Sequence, residues 1–214
     1  MGRLPSLVFG CAVATVALFS CMNGPLVRTS TASPETLDPN AMQLSIARSK
    51  DGTFPDPILV NGTALRLQGS GLCEWGILGI DLYRAALWVE RPIANASEAL
   101  RADRTMVIHL DFVRGLSKGQ LRSAWEGSAK ANTGDSMPRY AKAVEQLCVA
   151  MEDVGDGDAY TFALEPTRGM TVLRNGREVT VIADEDFRVL FVRMYLGDKP
   201  PTKDLRDAML GAAK

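Results

Sequence analysis

The sequence predicts an α+β domain: one antiparallel sheet with its helices packed on one face. Strand-forming stretches come as hairpins, two of them closed by Asn-Gly, at Asn61-Gly62 and Asn175-Gly176. Strands arrive in runs, then helices in runs. Two helical stretches separate the hairpins, and two more close the chain. A parallel sheet would instead alternate strand with helix.

The chain starts with a different kind of segment. Arg3 precedes an apolar run from Leu7 to Phe19, followed by Ser20 and Cys21. A charged start, an apolar run of this length and a small residue at its end predict a secretory signal. A membrane-spanning helix needs about 20 apolar residues, and this run is shorter. Leu18-Phe19-Ser20-Cys21 resembles the bacterial lipoprotein box, which makes Cys21 the candidate lipidation site and residues 1–21 the signal. Cleavage near Ala32-Ser33 is the alternative, since Phe19 is bulky for that pattern. Residues 22–50, rich in Ser, Thr, Pro and Asn, are expected to form a flexible tether. The folded domain is assigned to residues 51–214.

Within the domain, Pro57–Val60 and Thr63–Gln68 read as a hairpin, and Ile77–Val89 as a long strand. Thr105–Val113 alternates, with Met106, Ile108, Leu110 and Phe112 on one side and Val107, His109 and Asp111 on the other. Ser117-Lys118-Gly119-Gln120 spells a capping box, and Leu121, Ala124, Trp125, Ser128 and Ala129 recur at helical spacing. A second helix starts near Pro138 and shows Tyr140, Val144, Leu147, Cys148 and Met151. Strands return at Tyr160–Leu164, Met170–Arg174 and Arg177–Ile182. A helix from Asp184 turns Phe187, Leu190, Phe191, Met194 and Tyr195 to the core and stops at Gly197, and Thr202–Leu210 forms the last one.

Composition excludes several functions. A net charge of −1 and the lack of any basic run give no footprint for nucleic acid. His109 is the sole histidine and sits in mid-strand, so zinc clusters and a Ser-His-Asp relay lack material. No phosphate loop, dinucleotide fingerprint or CxxC pair occurs, so no cofactor is expected. The acidic triplet Asp184-Glu185-Asp186 sits where a helix N-terminus favours negative charge. With Cys11 in the signal and Cys21 assigned to lipid, Cys73 and Cys148 remain. A bond between them would close a loop of roughly 75 residues, and two independent apolar thiols are the preferred reading.

The stretch GSGLCEWG, Gly69–Gly76, crowds glycines around Cys73, which calls for a tight turn or a close approach by another part of the chain. Together with FPDPILVNGTALRLQGSGL, IDLYRAALWV, FVRGLSKGQLRSAWEGSAKAN and TVLRNGREVTVIADEDFRVLFVRMYLGDKPPTKDLRDAMLG, it resembles the chalcone isomerase-like family, particularly its secreted bacterial branch. The resemblance runs from about Phe54 to Gly211 and implies an open-faced β-sandwich with a ligand cleft between sheet and helices. Some members close a chalcone into a flavanone by adding a phenolate to an unsaturated ketone, some bind fatty acids, and others are not catalytic. In the catalytic and fatty-acid-binding branches an arginine follows the glycine turn, where a permanent cation steadies an oxyanion or a carboxylate. Here that position is Cys73. A threonine on the next strand aligns with Tyr83, and the tyrosine and asparagine of the family's helix fall in Lys118–Trp125, where neither occurs. Arg66 and Arg84 are the nearby cations: Arg66 points outward if Leu65 and Leu67 face the core, at most one of Tyr83 and Arg84 reaches the cleft, and two solvated strand arginines are the preferred reading.

These residues imply an exported protein that does not turn over chalcones and holds a small hydrophobic or fatty-acid-like ligand beside Cys73, Tyr83 and Trp125. It would sit in the periplasm or envelope, attached to a membrane through lipid on Cys21. An intramolecular lyase of the chalcone isomerase type, with Tyr83 as donor, is the alternative. An envelope interaction protein with a vestigial cleft is the third.

Overall fold

The computed structural model describes residues 41–47, 52–76 and 79–211. The signal segment, Cys11, Cys21 and most of the tether lie outside the described residues. Seven strands, β1 (Ile58–Val60), β2 (Thr63–Trp75), β3 (Ile80–Val89), β4 (Met106–Phe112), β5 (Ala159–Glu165), β6 (Gly169–Arg174) and β7 (Arg177–Ile182), pair antiparallel in chain order. Both Asn-Gly pairs turn as their chemistry requires. Asn61 and Gly62 have φ of 47° and 81°, and Asn175 and Gly176 have 49° and 81°.

The helices are α1 (Ala96–Ala99), α2 (Lys118–Thr133), α3 (Met137–Val149), α4 (Glu185–Leu196) and α5 (Lys203–Met209). Ser117 and Gln120 close a full capping box on α2. The Phe187 amide donates to Asp184 at 2.9 Å, and the Leu205 amide donates to Thr202 at 3.1 Å, so both later helices are capped as expected. Asp184 is thus a cap, Glu185 pairs with Arg188 and Asp186 with Arg139, which accounts for the acidic triplet. The four-residue α1 has no counterpart in the sequence reading, because so short a turn has no hydrophobic period to show. Ala124, expected on the buried face of α2, is exposed.

The largest difference concerns β2. It does not stop at Gln68 but runs on through the glycines to Trp75, with irregularities between Leu67 and Gly69 and between Cys73 and Glu74. A Cβ on Gly69 would lie 2.1 Å from the Ala208 carbonyl oxygen, and one on Gly71 would lie 2.8 Å from the Ala208 Cβ. The glycines therefore answer to α5, which lies directly on the strand backbone. Their presence does not end the strand, because Gly69 and Gly71 still pair with Leu87 and Ala85 on β3.

The two sheet faces bury different partners. One face, with Tyr83, Ala85, Leu87, Ile108, Leu110 and Phe112, packs under α2 to α5. The other, with Ala86, Trp88, Val107, Ala163 and Leu173, forms a second core with Met42, Leu44, Phe54 and the β1 residues Ile58 and Val60. Residues 41–47, placed in the tether by composition, thus supply two buried side chains to this second core. The strand alternation read for β4 holds residue by residue.

Candidate functional site

Cys73 and Tyr83 face each other across the β2–β3 pair, on the helix-covered side. Tyr83 in turn lies opposite Phe112 of β4, with ring centroids 5.7 Å apart. Above them α4 lays down a stripe at four-residue spacing, Phe187, Phe191 and Tyr195, because residues four apart share a helix face. On α2 the same rule aligns Leu121, Trp125 and Ala129. Trp125 stacks on Phe191 at 5.5 Å and 28°, and its ring lies 5.6 Å from Phe162 and 6.1 Å from Tyr195. Phe162 and Phe191 approach to 4.6 Å. Cys73, Tyr83, Trp125 and Tyr195 are 4%, 9%, 7% and 3% exposed, so the layer is dry.

The polar ends of Cys73, Tyr83 and Tyr195 interact with one another inside this layer. Burial pushes the Cys73 thiol up, and the neighbouring Glu74 carboxylate adds to that. Burial raises both Tyr83 and Tyr195 well above the usual phenol range, with each other and Cys73 as the remaining influences. All three groups are therefore neutral at physiological pH. Trp125 Nε1 is buried and finds no hydrogen-bond acceptor. An N–H left in that state carries a penalty of about 1–3 kcal/mol.

The sequence reading names Cys73, Tyr83 and Trp125 as ligand-binding residues, and the structure packs all three in the core on the helix-covered side of the sheet. It gave Tyr195 no role beyond the core. The signal was its spacing of four from Phe191, which cannot distinguish a packing ring from one whose hydroxyl meets a strand residue.

The cations lie elsewhere. Arg66 donates to both Asp56 oxygens at 2.8 and 3.0 Å, with its side chain 68% exposed. Arg84 alternates away from Tyr83, and its Nε lies 3.8 Å from where a Cβ on Gly52 would be, on the side of the covering segment. Two arginines among the described residues are buried, Arg104 and Arg188. Arg104 donates to Glu98 and Asp103, each at 2.9 Å, and to the carbonyls of Arg91 and Pro92. Arg188 is held by Glu185 in the first turn of α4, seven residues before Tyr195 and so roughly 10 Å down the helix axis.

Cys148 is fully buried on α3, and both Cys73 and Cys148 are free thiols. Burial pushes the Cys148 thiol up to about 11. Among the described residues no cluster of His, Cys, Asp or Glu could hold a metal, and no helix is long and apolar enough to cross a membrane.

Two cavities lie away from the aromatic layer. One, of about 280 Å³, is lined by Asn95, Ser97, Glu98 and Arg101 around α1. The other, of about 190 Å³, lies on the opposite sheet face between Ser45 and Ile46 and the row His109, Asp111, Thr161. His109 is buried there with Nδ1 2.8 Å from Thr161 Oγ1, and burial lowers its pKa to about 4. Phe54 and Trp88 meet its ring edge to face. His109 is thus a neutral side chain packed in the second core.

The family model described as chalcone isomerase-like matches residues 47–211, and the chain belongs to that family. Among solved structures, it is similar to an Arabidopsis thaliana fatty-acid binding protein, with 19% identity and a TM-score of 0.62. The match covers 78% of this chain and 96% of that one. None of the curated proteins matches.

Proposed function

We propose that this protein binds a small hydrophobic, fatty-acid-like ligand between sheet and helices and does not catalyse the chalcone reaction. One observation carries the reading: a buried donor, Trp125 Nε1, has no acceptor inside a layer of aromatic rings. A ligand offering an oxygen there would relieve that penalty, while Phe112, Phe162 and Phe191 supply apolar wall. Against catalysis stands Cys73, a thiol where the resemblance implies an arginine, with Arg66 and Arg104 held by carboxylates and the charge of Arg188 balanced by Glu185. The groups that act on Tyr83 are the neutral Tyr195 and Cys73, so an oxyanion developing there would meet no cation from them. The similarity to a plant fatty-acid binding protein agrees with this choice of ligand class.

The proposal extends to location. Arg3, the run Leu7–Phe19 and the Leu18–Cys21 tetrapeptide support export, lipidation of Cys21 and attachment to the membrane of a bacterial envelope. The acyl chains of a lipoprotein would anchor it firmly, where a single chain binds weakly.

Native mass spectrometry of gently purified protein tests the binding reading. Added mass corresponding to a lipid supports it. A clean apo mass that does not change on adding fatty acids or their derivatives rejects it. That second result would favour a vestigial cleft and an interaction role, a reading supported by the way Trp125, Phe162, Phe191 and Tyr195 occupy the space between sheet and helices. Turnover of a chalcone panel, abolished by Tyr83→Phe, would instead reinstate the intramolecular lyase.

A further inference from the structure

The ligand-binding reading leaves open which headgroup the site takes, and the charges of the site bear directly on this. A free fatty acid carries a carboxylate at neutral pH. Moving it into a dry layer is costly unless a cation or several strong donors meet it. Here the strand position that would supply a cation carries the Cys73 thiol, 4% exposed and directly across from Tyr83. The buried guanidinium on the same helix as Tyr195 is Arg188: its Nε and Nη2 donate to Glu185, which balances its charge, while its Nη1 has no partner. Glu74, next to Cys73, adds negative charge to that edge.

Within the aromatic layer itself the polar groups are neutral and few. Trp125 Nε1 can only donate, and it donates to nothing. The Tyr83 and Tyr195 hydroxyls can donate or accept, but they interact with each other and with Cys73. One free N–H fits one carbonyl oxygen. It leaves the second oxygen and the charge of a carboxylate unmatched.

We infer that the sheet–helix site selects alkyl chains headed by an uncharged carbonyl, an ester or amide, over the free carboxylate, with Trp125 Nε1 as the donor to that carbonyl. The inference rests on the binding reading above. It follows from where Trp125, Cys73, Tyr83 and Arg188 lie, and it departs from recognition by a cationic side chain.

The test compares decanoic acid, methyl decanoate and decanamide by titration calorimetry at about pH 8, where the acid is ionised. Each probe is measured on the parent and on Trp125→Phe, which keeps an aromatic ring and removes the N–H. The ester and amide are expected to bind at least about ten times more tightly than decanoate, a modest return for satisfying one buried donor and sparing one buried charge. In Trp125→Phe that advantage should shrink several-fold. Tight binding of decanoate, equal to or better than the ester, would overturn the headgroup inference and leave the binding reading intact. An ester advantage unchanged in Trp125→Phe would overturn the assignment of the donor. Failure of every probe to bind the parent would overturn both readings together.

Discussion

Gly69→Ala probes the contact on which the helix side of the fold is built. Gly69 carries no left-handed backbone requirement, so its effect is purely steric. The new Cβ would lie 2.1 Å from the Ala208 carbonyl oxygen and 2.9 Å from both the Met209 oxygen and the Gly211 nitrogen. All three are backbone atoms, so no rotamer change relieves the clash. α5 must retreat by roughly 1 Å to regain ordinary contact. That helix buries Leu205 and Met209, at 1% and 0% exposure. Full burial of two such side chains stabilises by about 3–6 kcal/mol, and a gap of this size forfeits a quarter to a half of the contact energy. The loss is about 1–3 kcal/mol, offset by about 0.5 kcal/mol from the stiffer unfolded chain. A net cost of about 1.5 kcal/mol lowers the melting temperature by roughly 3–6 °C in a domain of this size. Urea unfolding should show an earlier midpoint with an unchanged slope. Gly127→Ala is the counterpart, since nothing lies within 4 Å of its added Cβ in mid-α2, and it should stabilise by about 1 kcal/mol. A Gly69→Ala protein as stable as the parent would refute the packing argument.

Other expectations follow from burial. His109 titrates near 4 when folded and near 6.5 when exposed, so the unfolded chain binds the proton first as pH falls. Stability from this group is therefore full above about pH 6.5 and declines towards pH 4, by about 3 kcal/mol in all. His109→Gln should flatten the stability profile across that window in urea titrations, and an unchanged slope would show the histidine to be irrelevant. Cys73 and Cys148 should resist iodoacetamide at neutral pH and react once the chain is denatured, as read by peptide mass mapping. Rapid labelling of either in the native protein would contradict the closed layer. Cys21→Ala should move the protein from the membrane to the soluble fraction, and a mature N-terminus mapped beyond Cys21 would reject the anchor.

What could be read in the sequence was local. Asn61-Gly62, Asn175-Gly176, Ser117 to Gln120 and Asp184 each fix a turn or a cap through contacts within four residues, and each appears where expected. The continuation of β2 past Gln68 could not be read, because its cause lies some 140 residues away in α5. Met42 and Leu44 escaped for a different reason: two apolar residues in a polar stretch make no period, and only the second sheet face gives them a partner. Cys73 and Tyr83 are singled out by family resemblance one at a time, and their pairing across β2 and β3 is visible only in the register. The unpartnered state of Trp125 Nε1 is a property of the assembled layer and has no sequence signal at all.

The glycine-rich stretch before Cys73 carries two arguments that the structure separates. Glycines beside a reactive type of side chain suggest a loop shaped for a ligand. Gly69 and Gly71 instead admit a helix, and the last residue of that run to face inward is Cys73. The backbone geometry there is thus accounted for without any ligand, and it would be needed equally in a member that binds nothing. Evidence for a guest must come from groups that packing leaves unsatisfied. In the aromatic layer that group is the Trp125 N–H, so the proposed binding is to be tested at the ligand's headgroup and not at the glycine strand.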